Sequence, residues 1–107
     1  MRFFLARLDG FAVGCGGVAV FDDAEVKRMY TRPAARGLGL ANALLRRIED
    51  EARASGAPVL RLETGIHQQE PIRFYESAGF RPCGPFGPYA MMPVNKIETS
   101  LFFEKRL

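Results

Sequence analysis

The sequence contains no tryptophan, a single histidine and only two cysteines, and each scarcity excludes a class of protein. Cys15 and Cys83 lack the spacing of a metal-binding motif, and one pair of cysteines does not make a disulfide scaffold. We therefore interpret both as free thiols of a reducing compartment. His67, the lone histidine, lies between a predicted strand and a predicted helix and is interpreted as a surface residue. We predict no metal site.

Long apolar runs and blocks of like charge are also missing. Nothing approaches the roughly 18 consecutive apolar residues of a membrane span, and Met1-Arg2 does not open a signal peptide. We expect a cytoplasmic protein with no membrane partner. Fifteen basic residues are interleaved with twelve acidic ones, for a net charge of +3. A polyanionic small molecule explains that surplus, and no strand interleaves aromatic and basic residues as an RNA-binding sheet does, so we predict no nucleic-acid partner.

The apolar pattern predicts one domain over residues 1–107, in the mixed α/β (α+β) class. Leu40, Leu44 and Ile48 have helical spacing, whereas the flanking segments read as strands. Glycines at 14, 16 and 17 weaken the second strand and predict a bulge or a close backbone approach there. The alternation of polar and apolar residues in the third strand is imperfect, so the sequence does not assign which of its residues face the core. Strands are predicted at 3–8, 11–21, 25–30, 59–64, 80–83 and 99–105. One helix is predicted to start at Leu40 and to be ended by Ser55-Gly56-Ala57-Pro58, a second to run from about 71 to 78, and an irregular loop to cover 84–94. The order is β-β-β-α-β-α-β-β.

The most informative segment, Arg36-Gly-Leu-Gly-Leu-Ala41, joins the third strand to the long helix. Glycines there allow backbone N–H groups to turn toward a ligand without a Cβ in the way. The first N–H groups of a helix lack partners and lie at the positive end of its dipole, so the segment suits a phosphate. Arg36 can add a charge-assisted hydrogen bond.

This segment has three competing interpretations. A Walker loop is excluded, because no Gly-Lys-Ser/Thr follows. A dinucleotide-binding fingerprint needs glycine or alanine at the position of Asn42, and it follows the first strand of a βαβ unit rather than three antiparallel strands. The third interpretation, a glycine-rich turn that merely starts a helix, stays open on local sequence alone.

Two motifs, however, resemble the GNAT superfamily of acetyl-CoA-dependent N-acetyltransferases. Arg36-x-x-Gly39-x-Ala41 is similar to the family's pyrophosphate signature, and residues 26–33 resemble the strand and lead-in before it. Residues 72–80, with Tyr75-Glu76 and Gly79-Phe80, are similar to a later helix of the family. The resemblance covers nearly the whole chain and implies a GNAT-like mixed sheet that binds acetyl-CoA.

The resemblance also implies site residues. The third-strand backbone would pair with the pantetheine arm, one of its N–H groups holding the oxyanion of the reaction, while the helix start would hold the pyrophosphate. The implied cofactor-binding residues are Met29, Tyr30, Thr31, Arg36, Gly37, Leu38, Gly39, Leu40 and Ala41. Tyr75 occupies the place of the family's acid for the departing thiolate. Glu25 is the candidate base, although a solvated carboxylate at a strand start is the competing interpretation, and Glu63 is a weaker candidate.

The chain departs from the family at its start. GNAT domains usually begin with a strand and two helices that wall the acceptor site, whereas a hairpin begins here at residue 3. We expect either a fragment or a short variant whose wall comes from a partner subunit, an arrangement that a homodimer would satisfy. The predicted function is acetyl transfer to a small-molecule or peptide amine. The alternative is a non-catalytic module that binds coenzyme A or a protein partner.

Overall fold

The computed structural model describes residues 1–107 and contains six strands and three helices. In chain order the elements are β1 (Arg2–Leu8), β2 (Phe11–Val20), β3 (Ala24–Thr31), α1 (Leu40–Ala54), β4 (Val59–Gly65), α2 (Gln69–Ser77), β5 (Arg81–Cys83), α3 (Val94–Ile97) and β6 (Ser100–Arg106). This confirms the α+β class and the predicted order of the strands and two main helices. The predicted irregular loop is wrong in part, because it contains a 3₁₀ turn at Gly87–Met91, and the four-residue helix α3 follows.

The chain divides into two compact units, residues 1–60 together with Leu107, and residues 61–106. In the first unit β1 pairs with β2 and β2 with β3, each antiparallel, and α1 packs on these strands. In the second unit the strand order is β4-β6-β5, with β5 and β6 antiparallel. The single-domain organisation stays a prediction. None of the helices has the length and apolar composition to cross a membrane.

A β-bulge interrupts the pairing of β2 with β3. Cys15 pairs with Tyr30 and Gly17 with Lys27, so the two residues Arg28 and Met29 face Gly16 alone. Arg28 has a φ of +53°, in the left-handed region that non-glycine residues rarely adopt. The glycines of β2 predicted such an irregularity, and the extra residue explains the imperfect alternation of β3.

The core of the first unit forms where α1 lies on β2. The buried stripe of α1 consists of Leu44, Leu45, Ile48 and Ala52, the residues expected from helical spacing. Ile48 and Ala52 are fully buried, and the Ile48 Cδ1 atom lies 3.1 Å from where a Cβ of residue 16 would stand. The helix therefore approaches the strand closely at Gly16.

Within the first unit, β1 has a strand neighbour on one side only. Phe3 and Leu5 are 53% and 57% exposed on this edge strand. A groove of about 560 Å³ lies between β1 and α1. Phe4 lines it, with the Arg47 guanidinium 4.8 Å from its ring centroid. This edge of the unit therefore exposes large apolar side chains.

We expect Ile48→Ala to destabilise the chain by about 2–4 kcal/mol, since it removes a fully buried side chain from a site where helix and strand are in contact. Urea unfolding followed by circular dichroism measures the change. Val94→Ala is the matched control, because Val94 is 76% exposed and its loss should stay within about 0.5 kcal/mol. Equal effects of the two variants would contradict the packing described here.

Candidate functional site

Helix α1 begins without any side-chain cap. Its N-cap is Gly39, with a φ of +77°, and its first turn contains no acidic residue. The first bond into the helix runs from the Ala43 N–H to the Gly39 carbonyl at 3.1 Å. The N–H groups that precede Ala43 in the first turn have no helical acceptor and carry the positive end of the dipole. This end of α1 is therefore suited to an anion.

The loop before α1 leaves space for a ligand beside its backbone. Gly37 and Gly39 both have positive φ values, +83° and +77°, and a Cβ built on either would meet no atom within 4 Å. Arg36 and Leu38 are exposed beside them. The base of the loop is fixed by a 3₁₀ turn in which Ala35 is buried. The turn holds the backbone in place while the glycines keep one side open.

The end of β3 leads directly into this loop. Tyr30 and Thr31 pair with β2, and the Arg32 N–H donates to the Val13 carbonyl at 2.7 Å. Just before them the bulge begins, where the Cys15 thiol donates to the Arg28 carbonyl at 3.4 Å. All nine predicted cofactor-binding residues thus lie in one continuous stretch, residues 29–41, of the first unit. Sequence reasoning did not identify Cys15 as a neighbour of this stretch, because its pairing partner depends on the bulge.

Glu25 lies at the opposite end of β3. Met29 is four positions further along the strand, a distance of about 13 Å at the regular rise per residue. Its side chain is buried, and the Lys27 Nζ lies 3.1 Å from its Oε2. The interpretation of Glu25 as a solvated carboxylate is therefore wrong, because the start of β3 packs inward at Ala24, Glu25 and Val26. Its role as a base stays a prediction.

The second unit holds the other predicted chemical groups. Glu63 on β4 is half-buried and accepts a hydrogen bond from the Ser100 hydroxyl at 2.6 Å. His67 is exposed after β4, as the sequence predicts. Cys83 is half-buried, and its pKa is raised by burial and by the nearby Glu104 carboxylate. No cluster of three or more potential metal ligands forms among residues 1–107.

Tyr75 on α2 is buried among aromatic rings. The ring centroids of Phe74 and Phe80 lie 5.3 Å and 5.6 Å from its own. Desolvation by burial raises the pKa of Tyr75 to about 12. A thiol has a pKa of about 8.5, so full proton transfer from this phenol to a thiolate is uphill by about 5 kcal/mol. Tyr75 is thus better suited to donating a hydrogen bond than to giving up its proton.

Comparison with known proteins decides the family. The family model described as an acetyltransferase (GNAT) domain matches residues 1–82. The chain belongs to the GNAT acetyltransferase family. It is 48% identical over 110 residues to an IAA acetyltransferase of Azospirillum brasilense, an alignment that covers all of this chain and 69% of that GNAT relative.

Solved structures agree with this assignment. A Klebsiella pneumoniae protein assigned as an acyl-CoA N-acyltransferase matches with a TM-score of 0.89 and 38% sequence identity. The match covers 98% of this chain and 71% of the Klebsiella chain. A Bacillus anthracis protein assigned as a streptothricin acetyltransferase was solved with acetyl coenzyme A. It has a TM-score of 0.82 and 20% identity over 98% of this chain and 61% of its own, which shows the GNAT fold.

The residues at the start of α1 fit the cosubstrate that the family implies. A pyrophosphate requires N–H donors, positive charge and room for its oxygens. The first turn of α1 supplies the donors without a competing carboxylate, Arg36 supplies charge, and Gly37 and Gly39 leave the room. The fit rests on these geometric features of the first unit.

The raised pKa of Tyr75 predicts a specific loss of stability in alkali. The folded state holds the phenolic proton more tightly than the unfolded state, so this contribution is complete below pH 10 and is lost as pH rises from 10 through 12. Between pH 9 and pH 11 the wild type should lose about 1 kcal/mol that Tyr75→Phe does not. Urea unfolding at the two pH values measures it.

Tyr30→Phe is the control for that experiment, because the Tyr30 side chain is 53% exposed. The variant controls for the removal of a tyrosine hydroxyl from an exposed position. A Tyr75→Phe variant that loses stability in parallel with the wild type would show that the buried phenol does not titrate as described.

Proposed function

We propose that this chain is an N-acetyltransferase that binds acetyl-CoA at residues 29–41 and transfers its acetyl group directly to an amine. The observation that carries the proposal is the start of α1, whose N–H groups carry no cap and whose two glycines leave open space beside them. The match of the GNAT family model, which includes this whole stretch, supports it.

The proposed site divides the cosubstrate between a strand and a helix. The backbone N–H groups from Gly37 to Ala41 bind the pyrophosphate, and each anionic contact at the helix end contributes about 0.3–1 kcal/mol. Arg36 adds a charge-assisted hydrogen bond from its exposed position. The backbone of Met29 to Thr31 is the proposed binding surface for the pantetheine arm, a role that rests on the family resemblance, and its N–H and C=O groups are the donors and acceptors that the amides of that arm require.

Acetyl-CoA supplies a thioester carbonyl for attack by the acceptor amine. A lysine-like amine has a pKa of about 10.4 and must lose a proton first, so a base is needed. Glu25 is the proposed base, a role that rests on the family resemblance. The proposed role of Tyr75, a hydrogen bond to the departing thiolate, rests on the same resemblance, and its buried phenol remains protonated at neutral pH.

A second function, a non-catalytic module that binds coenzyme A or a protein, is favoured by one observation. The apolar edge strand β1, with Phe3 and Leu5 exposed beside the groove to α1, is the kind of surface that partners cover. A homodimer is one such arrangement. Release of coenzyme A in the presence of a panel of small-molecule and peptide amines distinguishes the two functions, because the module would bind without turnover.

Acetyl-CoA at 100 times its Kd should stabilise the chain by about 2.7 kcal/mol, which raises the Tm by roughly 10 °C. ATP and NAD should have little effect, because they share the phosphates but not the pantetheine arm. Differential scanning fluorimetry measures the shift. Arg36→Ala should reduce the shift in Tm, whereas Arg53→Ala, in the last turn of α1, should not. Equal shifts with all three nucleotides would show generic anion binding.

Once an acceptor is found, Tyr75→Phe should lower kcat about 100-fold, the lower end of the range for a positioned proton donor. The high pKa of the phenol is the reason for expecting the lower end. KM for acetyl-CoA should change little, because the lost hydrogen bond forms mainly as the thiolate departs. Unaltered turnover would assign Tyr75 to packing alone.

A further inference from the structure

The bulge in β3 lies opposite Gly16 of β2, a residue that has no side chain. A Cβ built on Gly16 would collide with the Sδ atom of Met29 and would lie 3.1 Å from the Cδ1 atom of Ile48. Both neighbours lie on the face of β2 that α1 covers. Gly16 therefore leaves the space in which the Met29 side chain lies against the strand.

Of these two neighbours, Met29 is the one that can move. Ile48 is fully buried in the interface between α1 and β2, so moving it would disturb the core of the unit. Met29 is only half-buried, and its thioether chain has three rotatable bonds. A methyl group at position 16 would thus displace Met29 rather than the helix.

The backbone around Met29 is held by several contacts rather than by its own preference. Arg28 has a φ of +53°, a conformation that costs a non-glycine residue about 1–2 kcal/mol. The Cys15 thiol donates to its carbonyl at 3.4 Å, and its guanidinium lies 5.8 Å from the centroid of the Phe3 ring. Such a conformation persists only where its surroundings fix it. A Met29 side chain pushed away from Gly16 would strain this backbone further.

We propose that Gly16 is a positioning residue for the acetyl-CoA site. The space above Gly16 lets the Met29 side chain lie against β2, so the bulge keeps the direction of the backbone from Met29 to Thr31, whereas a methyl group at position 16 would push on that backbone through the Met29 side chain. Tyr30 and Thr31 resume the pairing with β2 directly after the bulge, so a shift at Met29 is passed on to them. This inference rests on the proposed function, which places the pantetheine arm against the same backbone.

Gly16→Ala should weaken acetyl-CoA binding about tenfold in calorimetry, corresponding to one misdirected backbone hydrogen bond. Adding Met29→Ala should return the affinity to within about threefold of the wild type, because the double variant removes the colliding thioether and keeps the backbone group. A purely structural role for Gly16 would not produce this rescue of affinity.

Gly56→Ala is the matched control. Gly56 follows α1 with a φ of +83°, a conformation that strains alanine, and a Cβ there would meet no atom within 4 Å. This variant should lose stability while the folded protein keeps its affinity. In ligand-free samples, amide NMR resonances of Tyr30 and Thr31 should shift in Gly16→Ala, return in the double variant and stay in place in Gly56→Ala.

The outcomes separate the two proposals. If the wild type binds acetyl-CoA and Gly16→Ala binds it equally well, the positioning role is overturned and the proposed function stands. A wild type that does not bind overturns the proposed function, and the inference with it. If Gly16→Ala does not fold, the double variant decides: a folded double variant that binds supports the role, and an unfolded one shows that Ile48 is the limiting contact.

Discussion

Helix α1 lies directly on two glycines of β2, and this close approach fixes the orientation of the helix whose start forms part of the candidate site. Leu44 and Ile48 lie over Gly14 and Gly16 of β2, where a Cβ would meet their methyl groups at 3.4 Å and 3.1 Å. Close packing of this kind fixes a helix axis more firmly than a layer of flexible side chains would. Because the axis is fixed, the N-terminal N–H groups of α1 point in a defined direction. The direction of the proposed anion-binding end of the helix thus depends on the glycines beneath its middle.

The parts of the fold that local pattern determines were predictable from the sequence. Leu40, Leu44 and Ile48 repeat at helical spacing, and the glycines before them mark where the helix begins, so α1 and its loop were located within a residue. Helix α3 was not, because four residues after Pro93 are too few for a periodic pattern. Glycines in β2 predicted an irregularity, but the residues facing Gly16 depend on the register between strands. Register is set by pairing across the chain, which no local window contains.

The candidate catalytic residues show the same division. Tyr75 was located by its motif, but its burial between Phe74 and Phe80 is a tertiary property, and the pKa of about 12 follows from that burial. Glu25 reads in sequence as the polar start of a strand, whereas it is buried beside Lys27. Local polarity could not distinguish these cases, because an ion pair allows a carboxylate to enter a packed region. Sequence thus identifies the residue types, and the environment that sets their chemistry comes from the fold.

The edge strand β1 has a practical consequence for work with the isolated chain. Its outer backbone groups have no strand neighbour in the first unit, and Phe3 and Leu5 leave the edge apolar, with no proline or lysine along it. Natural proteins guard such edges, because an open apolar strand is a template on which another molecule can extend the sheet. Self-association of the isolated chain at high protein concentration is therefore expected at this seven-residue strand, which is remote in sequence from the proposed anion-binding loop. Solution conditions that keep the β1 strands of different molecules apart are thus the ones to favour when the chain is handled.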